Sequence, residues 1–447
     1  MRQAIRRLAP ASSARERSRV NVSPVLALAG LAAIGLLATR LPRPAWRRAP
    51  SLDLVLAAGG PLVCVGLVLG PGIGFVSASL LRALAPVTAL ALGWLGATLG
   101  AQFEWRYVRR IPRDVWLLAA WSAASGFAAV ALAAALLARL VPALGMVWTP
   151  RLPVIVTLAA VAAASGPGAV TLVARTLGLG ELVARRIARA AVLETAAGAL
   201  AITVPLALHR PHAGAGAELG WRASLIFAVG SGALVGMAFL SVSRLRPAPA
   251  DLGFALLATL LVGAGLGYAA DLSPFVVCAL AAGLIVNLSP RRHLVRHVLA
   301  DWAQPLTTVM LVVTGALLTL PTVWLLVAAP LLALVRIAAK WGGVRFGREA
   351  TRRPEIPPLA GLTTVPQGAT ALALGLGFFI QYGGPGTAAL GGVSAAAVLT
   401  TVVVGVAVAQ LAAAPLVALA LRVDPPPLTR APEASDLRHN APAEWPR

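Results

Sequence analysis

Runs of about 20 apolar residues recur along nearly the whole chain, separated only by short connections. A helix of that length spans the roughly 30 Å hydrocarbon core of a bilayer. No soluble packing accommodates a dozen helices that are apolar on every side. The chain is 58% hydrophobic and 12% charged, against about 25% charged in soluble proteins. The reading is an all-α polytopic membrane protein. The runs place thirteen spans at 22–40, 52–69, 80–101, 115–141, 151–174, 189–208, 222–243, 251–269, 273–288, 303–319, 321–342, 358–380 and 388–421. The last is either one long tilted helix or two short ones. Residues 1–21 read as a basic tail, 22–421 as the membrane domain, and 422–447, rich in Pro and polar residues, as a disordered tail.

A net charge of +22 would suggest nucleic acid in a soluble chain. Here the arginines cluster in the connections, where they set topology and meet anionic headgroups, so the expected partner is the lipid bilayer and no nucleic acid. Counting residues at the span ends, the odd connections and the C-terminal tail carry 25 Lys or Arg and the even connections about 5. That asymmetry predicts a cytoplasmic C-terminus. The arginines at 2, 6, 7, 15, 17 and 19 oppose it, because thirteen spans put the N-terminus outside. Either this tail is translocated, or 22–40 does not span, or the true start lies downstream. Cys64 and Cys278 both lie in apolar segments, and the five His lie in connections or the tail, so neither a disulfide framework nor a metal site is expected. No connection carries a catalytic constellation, and the chain is not read as an enzyme.

Against this background Glu194 stands out in "AAVLETAAGALAIT", residues 190–203. It alone among sixteen acidic residues lies well inside a span, where a carboxylate costs about 2.5–3.5 kcal/mol on insertion scales. Such a group faces a cavity and pairs with a partner. One span earlier, "ASGPGAV" (164–170) sets Gly166, Pro167 and Gly168 at membrane depth, removing a backbone donor and inviting local unwinding. In the twelfth span "TTVPQGAT" (363–370) does the same with Pro366, Gln367 and Gly368. If spans one to six (about 22–208) and eight to thirteen (about 251–421) form an inverted repeat joined by a linker helix at 222–243, these interruptions correspond. Matching breaks are the best sequence pointer to a transporter's midplane site. On the eleventh span, Arg336 and Lys340 are four apart and share a face. Lys340, the single Lys in the chain, falls near the cytoplasmic end, where it could snorkel; Arg336 lies a turn deeper.

These segments resemble, in order, the monovalent cation:proton antiporter (sodium/hydrogen exchanger) superfamily over roughly residues 50–420. "GLVLGPGIGF" (66–75) is similar to its early glycine-proline signature, and "LGWLGATLGAQFEWRYVRR" (92–110) to the following helix and its basic exit. "SGPGAVTLVARTLG" (165–178) resembles its broken helix, and "AVLETAAGALAI" (191–202) falls where the family has its ion-binding acidic pair. "DLSPFVVCALAAGLIVNLSP" (271–290), "VMLVVTGALLTL" (309–320) and "VPQGATALALG" (365–375) resemble later segments. The chain departs from the family at three places. Thr195 stands where the essential Asp is usual, Gly166 where some members have Asp, and Gln367 where Arg is frequent.

The resemblance implies a sodium/proton antiporter-like fold with two crossed, broken helices, a homodimer, and a multi-pass protein of the cell (inner) membrane. It implies exchange of a monovalent cation, Na⁺ or K⁺, for protons by alternating access, with no cofactor beyond the transported ions. Glu194 would hold either a proton or a cation. Thr195, Ser165 and the carbonyls around Gly166, Pro167 and Gly168 would complete an oxygen shell, and Arg336 or Lys340 would compensate charge. With one carboxylate, exchange is expected to be electroneutral. The shift of the acid from 195 to 194 turns it by about 100° on a helix and could point it away from the pocket. Two alternatives stay open: a transport-inactive or regulatory antiporter-like protein, and an organic-anion carrier on the same fold.

Overall fold

The computed structural model describes Val55 and residues 58–72, 84–149, 151–208, 221–244, 248–352, 356–383 and 392–421. The expected first span at 22–40 and both terminal tails lie outside the described residues, so the arginine conflict at the N-terminus lies there too. Described helices overlap each of the other twelve expected spans, of which 52–54, 56–57, 80–83 and 388–391 also lie outside the described residues. In chain order these are α1 (Gly60–Leu67, continued by a π-turn to Gly72), α2 (Ala85–Gly100), the short α3 (Trp105–Val108), α4 (Arg113–Leu140) and α5 (Pro142–Val147). Next come α6 (Arg151–Ala163), α7 (Pro167–Thr176), α8 (Glu181–Leu208), α9 (Trp221–Arg244) and α10 (Pro249–Ala269). They are followed by α11 (Pro274–Leu288), α12 (Arg292–Ala316), α13 (Leu325–Ala350), a 3₁₀ turn (Ala360–Thr364), α14 (Ala369–Tyr382) and α15 (Gly392–Leu421).

Among the described residues, eight of these segments are long and apolar enough to cross a membrane, and four shorter apolar helices accompany them. The protein is a multi-pass α-helical membrane protein. The final span is one helix, with Pro415 inside it, rather than two. Several helices outrun their apolar stretch: α8 begins at Glu181, α12 at Arg292, and α13 continues to Ala350. Charged residues are good helix formers, so an apolar window ends before the backbone hydrogen bonding does.

Around the two interruptions, α4 packs on α6 and α13, α8 on α4, α6 and α7, and α15 on α13, α14 and the 3₁₀ turn. Beside this group, α2 packs on α10, α11 and α12, and α1 on α12, while α9 lies against α10 and α11. Small residues permit these close crossings. A Cβ on Gly96 would sit 1.9 Å from the Phe275 carbonyl oxygen, so only glycine lets α2 and α11 approach so closely.

Candidate functional site

Both interrupted spans are broken where the sequence placed the breaks. α6 ends at Ala163 and α7 restarts at Pro167, which takes the first helical turn because it has no N–H to lose there. The 3₁₀ turn ends at Thr364 and α14 restarts at Ala369. The two gaps touch. Gly166 N–H donates to the Pro366 carbonyl at 3.0 Å, and a Cβ on Gly166 would lie 2.8 Å from the Gln367 carbonyl carbon. Glycine at 166 is therefore required by the crossing itself. Gly168 has open space beside it.

Glu194, from the middle of α8, is fully buried against this crossing. Its Oε2 lies 2.5 Å from Ser165 Oγ and 2.5 Å from Lys340 Nζ. The concern that position 194 turns the acid away from the pocket is removed by this geometry. The other oxygen, Oε1, is buried and has no hydrogen-bond partner among the described residues. Ser165 Oγ also lies 2.5 Å from the Thr364 carbonyl, so its one proton can go to either acceptor while it accepts from Lys340 Nζ at 3.0 Å.

Lys340 does not snorkel. It is fully buried on α13, its ammonium reaching Glu194, Ser165, Ser122 Oγ (3.2 Å) and the Ala163 carbonyl (3.3 Å). The sequence window put it near a helix end, but α13 runs ten residues past it, which leaves Lys340 inside the helix. Arg336, one turn away, donates to the carbonyls of Ala162 (2.8 Å), Val365 (2.8 Å) and Ala164 (3.0 Å). These are the last carbonyls of α6 and those leaving the 3₁₀ turn, which no helical N–H can satisfy. A guanidinium with five donors meets several of them at once and opposes their partial negative charge.

The carbonyls expected in the oxygen shell are partly engaged by α7. The Gly166 carbonyl accepts from Val170 N–H at 2.9 Å and that of Gly168 from Thr171 Oγ1 at 2.9 Å, because α7 resumes at once and takes both. The carbonyls that meet the Arg336 and Lys340 side chains are those of Ala162, Ala163, Ala164 and Val365. Thr195 Oγ1 has two backbone acceptors, the Ala191 carbonyl at 2.7 Å and the Ser165 carbonyl, and so ties α8 to the break. Gln367 Nε2 donates to the Val161 carbonyl at 2.8 Å, and its own carbonyl accepts from Gln410 Nε2 of α15. Gly368, beside it, is the residue from which α14 restarts.

Ser122, Thr364 and Gln410 belong to this network and were not singled out in the sequence. Ser122 Oγ and Thr364 Oγ1 are 3.0 Å apart and buried. A lone serine or threonine in an apolar run carries little signal, since its hydroxyl is easily satisfied by its own helix. Gln410 did carry one, as an amide in the long apolar run of the last span.

The chain matches no protein-family model, and no curated protein matches it by sequence. In three dimensions it resembles the sodium proton antiporter MjNhaP1 from Methanocaldococcus jannaschii. A structure of that protein at pH 8 superposes with a TM-score of 0.64 at 15% identity, covering 91% of this chain and 99% of that one. A second, from an electron microscopy map, gives 0.60 at 14% identity, covering 90% and 98%. This chain has that antiporter's fold. At such identity the likeness speaks for the arrangement of helices, and the chemistry rests on the residues above.

Proposed function

We propose that the protein is a secondary active transporter exchanging a monovalent cation for protons by alternating access. The observation that carries this reading is the Glu194–Lys340 pair, buried where two broken helices cross. A buried ion pair is weak as a stabilising device, whereas an intramembrane acid at a helix break is the usual form of an ion-coupling site. The lysine ammonium already sits among oxygens of the kind a hard monovalent cation needs. A cation entering beside Glu194 displaces that ammonium, and the pair gives up one proton. The charge buried at the crossing then stays constant, which favours one cation for one proton. Arg336 keeps the carbonyl ends compensated throughout. The excess of arginine in the odd connections supports a cytoplasmic C-terminus, and the resemblance supports a homodimer in the inner membrane.

One observation favours a second reading. The ammonium fills the shell and Thr195 supplies no second carboxylate, so a transport-inactive protein would keep the same geometry as a static brace. Purified protein in proteoliposomes with a preset pH gradient separates the two. Adding Na⁺ or K⁺ is expected to collapse the gradient in wild type and not in Glu194→Gln. Silence toward every cation in wild type would exclude exchange.

A further inference from the structure

Lys340 Nζ is held by four oxygens from three separate stretches of chain: Glu194 Oε2 on α8 (2.5 Å), Ser122 Oγ on α4 (3.2 Å), and, from the end of α6 and the break after it, the carbonyl of Ala163 (3.3 Å) and Ser165 Oγ (3.0 Å). Glu194 Oε1, buried and without a partner among the described residues, is a fifth ligand atom to hand. The cage has supports of its own besides the lysine. Ser122 is set by the Thr364 hydroxyl at 3.0 Å, and Ser165 by the Thr364 carbonyl at 2.5 Å. The carbonyls on either side of Ala163 are pinned by Arg336. Lys340 is itself fixed at its backbone, where a Cβ on Gly361 would lie 2.2 Å from its carbonyl oxygen.

A cage braced around an ammonium group has the dimensions of an ammonium group. K⁺ and Rb⁺ are close to that size. Na⁺ and Li⁺ are smaller and require their oxygens drawn in further, which here means moving the Ala163 carbonyl although a buried arginine holds the carbonyls on both sides of it. We infer that the site takes K⁺ or Rb⁺ in preference to Na⁺ and Li⁺, and that Ser122 is one of the ligands. This rests on the exchange reading above and narrows it to a substrate.

The test is the proteoliposome assay with K⁺, Rb⁺, Na⁺ and Li⁺ titrated separately, and choline as the inert control. The expected result is half-maximal gradient collapse at a K⁺ or Rb⁺ concentration at least tenfold below that for Na⁺ or Li⁺. Ser122→Ala should raise the KM for K⁺ about tenfold with kcat little changed, and Ser122→Thr should recover part of the loss. K⁺ should also raise the Tm of the purified protein in detergent where Na⁺ at equal concentration does not. A preference for Na⁺ or Li⁺ overturns the inference and leaves exchange standing. An unchanged KM in Ser122→Ala removes Ser122 from the shell. If Ser122→Ala does not fold, Ser122→Cys takes its place in the same measurement. Failure of all four ions removes exchange and this inference together.

Discussion

Glu194 and Lys340 each remove from water a charge that only the other answers in full. Deleting one member of such a pair is costly, because the survivor is stranded: about 3–5 kcal/mol is typical. Replacing both by apolar groups of similar shape is often neutral. Lys340→Met is therefore expected to lower the Tm of the purified protein markedly, and Glu194→Leu/Lys340→Met to recover most of that loss while staying silent in the transport assay. A double variant as unstable as Lys340→Met would mean that the lysine's contacts to Ser122, Ser165 and Ala163 matter more than its charge partner. Arg336 differs in kind. It neutralises no carboxylate by direct contact; apart from a 3.4 Å contact to Ser165 Oγ, its partners are backbone oxygens that remain wherever the side chain goes.

Among the elements, the two interruptions decide the site, and they were legible because Pro and Gly act locally. Gly166-Pro167-Gly168 and Pro366-Gln367-Gly368 put Pro and Gly together and interrupt their helices, whereas a lone Pro such as Pro415 is carried inside α15. What the residues did not disclose was which carbonyls the gaps would leave free. That depends on how soon the next helix restarts, and α7 restarts early enough to claim Gly166 and Gly168. Nor could spacing along α13 give the direction of Lys340, since the end of that helix lies beyond its apolar stretch. The crossing yields a sharp contrast between neighbouring glycines. Gly166→Ala must push against the Gln367 backbone, so loss of transport and a lowered Tm are expected. Gly168→Ala meets nothing within 4 Å and should behave as wild type. Equal damage from both in the proteoliposome assay and thermal melts would show that local flexibility, rather than contact, governs the break.

At the scale of the molecule, thirteen expected spans and the arginine asymmetry predict a sidedness that labelling can read. In a background with Cys64 and Cys278 replaced, Glu349→Cys beyond the deep part of α13 should react only from the cytoplasmic side. Val323→Cys, exposed ahead of the same helix, should react only from outside. The reverse pattern would invert the topology. Fold class was plain from the apolar runs, while the pairing of distant spans was not, because nothing in one helix announces its neighbour 200 residues away. That distance has a consequence for biosynthesis. Glu194 and Lys340 are 146 residues apart in the chain, so at about 5–20 residues per second the acid emerges from the ribosome roughly 7–30 s before its partner exists. Whatever shelters that carboxylate as the early spans insert is something other than Lys340, and the nascent half-protein is a natural client for the insertion machinery until the eleventh span arrives.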